Sequence, residues 1–143
     1  MRILVLCFSL LLPSLAAAAD VAGLWVGYYA YPPGSPVERV PCALVLELME
    51  GEVDGTMIER QTFGDLFIPG LPSQVIGVLE ERTLRLEKYY FHADEQDPAV
   101  DYELTLSPDG NVLSGYWSIG ELSGTAFFRR VTAESADRIP APR

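Results

Sequence analysis

From Gly23 to Val131 the chain consists of short stretches in which apolar and polar residues alternate, separated by turn residues. A period of two belongs to strands, and helical periodicity is nearly absent. The first stretch covers residues 23–31 and ends in Pro32-Pro33-Gly34-Ser35-Pro36, a segment that cannot continue a strand. Residues 40–49 and 53–61 flank Glu50-Gly51-Glu52, a hairpin turn in which Gly51 can take the positive φ that a tight reversal needs. Residues 62–73, with Gly64, Pro69, Gly70 and Pro72, read as a long loop over one end of the fold.

Two more stretches, 74–79 and 83–91, surround Glu80-Glu81-Arg82, and a charged loop at 93–98 leads to the stretch 100–106. Ser107-Pro108-Asp109-Gly110-Asn111 then reverses the chain into 112–119, because proline presets φ and Asp-Gly supports the turn. The eighth stretch is 122–131, and the polar residues 132–143, with two prolines, are expected to be a disordered tail. Eight strands with mostly short connections predict an all-β, eight-stranded antiparallel up-and-down barrel. A two-sheet sandwich is the rival, but it ordinarily needs long Greek-key crossovers, and few are present here.

Alternation also assigns faces. Leu84, Leu86 and Tyr90 oppose Arg85 and Glu87; Tyr102, Leu104 and Leu106 oppose Asp101, Glu103 and Thr105. Leu113, Gly115, Trp117 and Ile119 oppose Ser114 and Ser118, which makes Trp117 an inward residue. In the last stretch both alternations, Gly124-Ala126-Phe128-Arg130 and Thr125-Phe127-Arg129, are open.

The residues before this pattern change the picture. Arg2 is a short basic region, residues 3–12 are an apolar core, and Ala17-Ala18-Ala19 before Asp20 fits cleavage of a signal peptide. A retained anchor is the alternative, but the apolar core is shorter than the roughly twenty residues a membrane span needs. The expected organisation is a signal peptide at 1–19, a barrel domain at 20–131 and a tail at 132–143, in a periplasmic or secreted protein with no membrane span in its mature form. Ten basic residues against twenty acidic ones give a net charge of −10, and removing Arg2 makes it −11. A field of that sign repels nucleic acid and anionic membranes; it suits solubility or a basic partner. Cys7 would leave with the signal peptide, so Cys42 is either a buried thiol or half of an intermolecular bridge. Its apolar surroundings, Val40 to Leu46, favour burial.

Gly23-Leu24-Trp25 at the start of the first stretch, with Arg129-Arg130 at the end of the eighth, resembles the plan of the calycins, the group of lipocalins, fatty-acid-binding proteins and avidins. Gly115-Tyr116-Trp117 and residues 124–130 look like the ending of small exported lipocalin-like bacterial proteins. The resemblance implies that Trp25 plugs the closed barrel end and that Arg129 or Arg130 lies across its ring as a cation–π contact. Two features depart from the lipocalin pattern: its usual disulfide is missing, and no helix-length segment follows the barrel. The resemblance therefore carries architecture, not a ligand.

No H-E-x-x-H, paired-cysteine zinc spacing, P-loop or G-x-S-x-G motif occurs, and no cofactor is called for. His92, the single histidine, reads as a loop residue, and Asp94, Glu95 and Asp97 lack the spacing of a calcium loop and read as solvated. Glu59 shares a face with Gly55 and Met57 just before the long loop; it is either a ligand-orienting carboxylate near a barrel mouth or a rim residue paired with Arg60 or another arginine. Carboxylates such as Glu59 and Glu47 could be arranged for acid–base chemistry, and nothing in their spacing calls for it. The leading expectation is a small apolar or amphipathic ligand held by Trp117, Tyr102, Glu59 and Met57; small inward residues such as Gly55, Gly77 and Gly115 would leave space for it, whereas large ones would fill the lumen. The alternative is a filled barrel that acts as an interaction module for an envelope or secreted protein.

Overall fold

The computed structural model describes residues 18–60, 70–91 and 98–136. Eight antiparallel strands follow one another around a closed barrel: β1 (Gly23–Ala30), β2 (Arg39–Met49), β3 (Glu52–Glu59), β4 (Leu71–Glu80), β5 (Thr83–Tyr90), β6 (Val100–Leu106), β7 (Val112–Ile119) and β8 (Leu122–Arg130). Each strand pairs with its sequence neighbours, and β1 pairs with β8 from Trp25 opposite Arg130 to Ala30 opposite Thr125, so no edge is left open. This is the up-and-down barrel read from the sequence, and it fits a calycin-like plan.

Strands β6 and β7 have the bounds expected from alternation alone. The turn between β2 and β3 places Glu50 at φ 53° and Gly51 at φ 87°, the paired left-handed conformations of a tight hairpin. Strand β4 begins at Leu71, inside the segment expected to be loop, despite Pro72. The reason is local: pairing to β3 starts at Leu71, whereas pairing to β5 starts only at Ser73, so the missing proline N–H is on a side without a partner strand. Pro41 in β2 repeats the arrangement, facing Tyr28 of β1 one residue before Cys42 comes into register on both sides with Glu59 and Gly27. After β8, Ala133–Ala136 form a four-residue helix, α1, capped by Thr132 Oγ1 accepting from the Ser135 amide at 3.2 Å. The tail expected to be disordered therefore starts with a turn of helix. Residues 1–17 and 137–143 lie outside the described residues, as do His92, Asp94, Glu95, Asp97 and most of the long loop at 62–73.

The inward faces agree with the alternation, and β8 resolves its ambiguity by turning Ala126 and Phe128 inward while Thr125 and Arg129 face out. Side chains from all eight strands fill the lumen. Trp25, Leu44, Met57, Val75, Leu84, Leu113 and Phe128 are fully buried. Cys42 is buried and free, and desolvation pushes its thiol up to about 12.

The inward glycines do not open space. A Cβ on Gly77 would stand 1.9 Å from the Arg85 carbonyl oxygen, and one on Gly115 would stand 2.0 Å from that of Glu103. The wall coils so tightly there that the neighbouring strand occupies the side-chain position. A side chain at either position would meet the neighbouring strand and not open space.

Candidate functional site

The lumen divides along its axis. At one end Trp25 of β1 stacks beneath Arg130 of β8, whose guanidinium carbon is 4.3 Å from the ring centroid. The indole Nε1 donates to the Val21 carbonyl at 2.9 Å. Arg130 also donates to the carbonyls of Gly110 at 2.9 Å, Ala22 at 2.5 Å and Asp20 at 2.6 Å. The guanidinium thus ties the chain entering β1 to the turn between β6 and β7. Arg129 does not reach Trp25; it faces outward, 5.5 Å from the Phe127 ring. Between the two arginines left open by the sequence, register decides, because Arg130 lies directly opposite Trp25.

At the other end the lumen carries charge. Lys88 of β5, 2% exposed, donates from Nζ to Glu59 Oε2 at 2.9 Å and to the Tyr90 hydroxyl at 2.8 Å. Tyr90 donates in turn to Glu59 Oε1 at 2.5 Å, and the Tyr29 hydroxyl stands 3.4 Å from the same oxygen. The ammonium faces three rings, at 4.4 Å from Tyr90, 5.2 Å from Tyr29 and 5.9 Å from Tyr102. Desolvation lowers the Lys88 pKa from its ordinary 10.5, against the opposing pull of Glu59, and burial raises the phenols of Tyr90 and Tyr102.

The four residues expected to hold a ligand come together in this half. Trp117 points inward, donates from Nε1 to the Ala30 carbonyl at 3.0 Å and meets Tyr29 and Tyr31 edge-on at 5.8 and 5.1 Å. Tyr102 is buried with its hydroxyl 3.9 Å from Met57 Sδ. Glu59 is neither a rim residue nor paired with Arg60: it is 4% exposed and its partner is Lys88. Among the described residues, these side chains are buried against one another. Lys88 was missed because a charged residue between Leu86 and Tyr90 breaks the apolar run, although period two alone puts it on the inward face. Among the described residues, no three His, Cys, Asp or Glu side chains converge as a metal-ligand set.

The open volume lies on the outside. A groove of about 960 Å³ crosses the outer wall from β2 to β7. Strand register explains its shape. Glu47, Asp54, Ile76, Glu87, Asp101 and Ser118 are successive partners across six strands and form one outward ladder. Met49, Glu52, Val78, Arg85, Glu103 and Tyr116 form the next. Between them runs a row of residues whose side chains point inward, including Gly77, so that bare backbone makes the floor. The coiling that denies Gly77 space in the lumen thus hollows the wall outside. Met49 and Tyr116 are 74% and 69% exposed, and Ile76 and Val78 are also exposed. Arg85 is held by Glu80 at 2.6 Å and Glu103 at 3.2 Å. A smaller depression of about 490 Å³ beside Tyr116 continues toward β8 and β1.

No protein-family model matches the chain, and no curated protein sequence matches it. The site must be read from its own geometry.

Proposed function

We propose that this is an exported interaction module: a filled barrel that docks a protein partner on its outer wall. The observation that carries this reading is the contrast between the buried inward side chains of the described strands and an open groove whose walls keep Met49, Ile76, Val78 and Tyr116 in solvent. Exposed apolar side chains gathered in one groove mark interaction surfaces, whereas the same residues scattered singly would need no explanation. The signal-peptide pattern supplies the compartment. The test is a photo-crosslinking residue in place of Tyr116, in protein expressed in its native envelope. A discrete protein adduct that disappears when Met49 and Val78 become glutamate is expected. A groove that crosslinks to nothing overturns the reading.

A second reading is favoured by the buried Lys88–Glu59 pair. A buried ion pair is weak support for stability, since well-packed apolar residues of similar volume often do as well or better. Its position near the ends of β3 and β5, among Tyr29, Tyr90, Tyr102 and Trp117, suits a small amphipathic ligand that parts the tyrosines and sets its polar end against Glu59 or Lys88. Native mass spectrometry of protein purified from its own envelope tests it: a co-purifying small molecule lost in E59Q supports this reading, and a mass equal to that of the bare chain counts against it.

A further inference from the structure

Resting on the outer-wall reading, we infer that the groove takes an extended segment of a partner protein in which basic and apolar residues alternate. Three observations fix that chemistry. The first is width. The two ladders are two residues apart along each strand, about 7 Å, whereas a helix with its side chains needs about 10 Å. An extended chain fits between them; a helix does not.

The second is length. The two ladders continue across six strands, β2 to β7, spaced about 4.8 Å apart, so an extended segment that follows the curved wall meets several successive positions of each ladder.

The third is the difference between the walls. The ladder through Asp54 carries four carboxylates, Glu47, Asp54, Glu87 and Asp101, in six positions. The ladder through Val78 supplies the apolar contacts, Met49, Val78 and Tyr116, with Glu52 and Glu103 between them. The only cation on either ladder, Arg85, is already engaged by Glu80 and Glu103, so the groove keeps a surplus of negative charge. An extended segment presents successive side chains to opposite sides. Lysines or arginines at every second position would face the carboxylate ladder, and the apolar residues between them would face Met49, Val78 and Tyr116. Each basic residue then meets a carboxylate that already faces solvent, so the contact does not require a buried charge.

The experiment uses the mature protein and three labelled synthetic peptides, followed by fluorescence anisotropy. One alternates lysine with leucine or valine; the second has the same composition with its lysines in one block; the third replaces lysine by glutamate. The alternating peptide is expected to bind at least about tenfold more tightly than the blocked one, to lose at least about tenfold in affinity in D101N/E87Q, and to weaken steeply as salt approaches about 0.5 M. M49S/Y116S should weaken it by a similar factor without changing its salt dependence. Equal binding of the alternating and blocked peptides, or binding unchanged in D101N/E87Q, overturns the inference, since attraction to net charge alone would suffice. The Tyr116 crosslink separates the two levels. A partner captured through a segment without this alternation overturns the segment chemistry and leaves outer-wall docking standing; peptides that fail together with an absent crosslink remove both.

Discussion

The two halves of the lumen each hold one cation against aromatic rings, and they do so in opposite ways. Arg130 keeps part of its surface in water and spends its donors on three backbone carbonyls, with Trp25 beneath it. It works as a clamp, closing the barrel where β8 returns to β1. Lys88 is enclosed, and its charge is answered by Glu59 and the hydroxyl of Tyr90. That arrangement has a desolvation cost that an apolar core would not carry. The comparison teaches that aromatic contact to a cation is compatible with two jobs. One end is built for closure, and the other carries a polar network beyond what closure needs.

The largest break in the comparison comes from emptying the closed end. Trp25→Ala removes a fully buried indole and its hydrogen bond to Val21, and is expected to cost about 3–5 kcal/mol in chemical denaturation. At the other end Lys88→Ala leaves Glu59 buried without its cation, and a loss of about 3 kcal/mol is expected, within the range for broken buried pairs. The double variant Lys88→Met with Glu59→Leu should recover most of that loss. If it does, the pair is not there for stability. A double variant as unstable as Lys88→Ala would make the network structural and remove the ground for a ligand in this half.

How far each half was legible follows from the same contrast. Trp25 and a terminal arginine were legible through the resemblance to the calycin plan, and strands β6 and β7 through unbroken alternation around Ser107-Pro108-Asp109-Gly110-Asn111. Lys88 and Glu59 sit on strands that are not neighbours, 29 positions apart, and meet because both point inward from either side of β4, where the curvature of the wall brings them together. Alternation could place each of them inward but could not pair them. Pro72 of β4 misled for a related reason: whether a proline interrupts a strand depends on when the second neighbour joins, which is a property of the sheet. The groove was invisible because it lies between two ladders that exist only once six strands are in register.

A smaller effect sharpens the comparison through pH. Above pH 9.0 the unfolded chain gives up the Cys42 proton, while the folded chain holds it to about pH 12. The folded state then binds more protons, so stability falls as pH rises through that window, by up to about 1.4 kcal/mol per pH unit for each such group. Tyr90 and Tyr102, raised by burial, act in the same direction above their ordinary value of 10.0. Lys88 acts in the opposite direction, since its folded pKa lies below 10.5 and the unfolded chain binds the extra proton between the two. Three groups against one predict net alkaline destabilisation arising from the Lys88 half. Cys42→Ala should flatten the stability curve between pH 9 and 12, read by denaturant midpoints across pH, and leave its neutral region with only the modest cost of a small cavity. A slope unchanged by that substitution would show that the thiol titrates normally in the fold.

The smallest effect concerns what Arg130 owes to the ring beneath it. Its contacts are of two kinds: donation to the carbonyls of Asp20, Ala22 and Gly110, and stacking on Trp25. Only the second depends on the indole. A cation–π contact at a partly exposed site contributes about 0.5–1 kcal/mol, so in a double-mutant cycle of Arg130→Ala with Trp25→Leu the coupling should fall near that value. The rest of the Arg130→Ala loss should persist in the Trp25→Leu background, because the backbone carbonyls remain to be satisfied. Leucine is the better partner for the cycle, since it keeps part of the apolar volume and limits collapse of Val21 into the gap. A coupling equal to the whole loss would mean that the ring positions the guanidinium for all of its bonds; a coupling of zero would reduce the closed end to a hydrogen-bonded clamp that happens to lie over an aromatic residue.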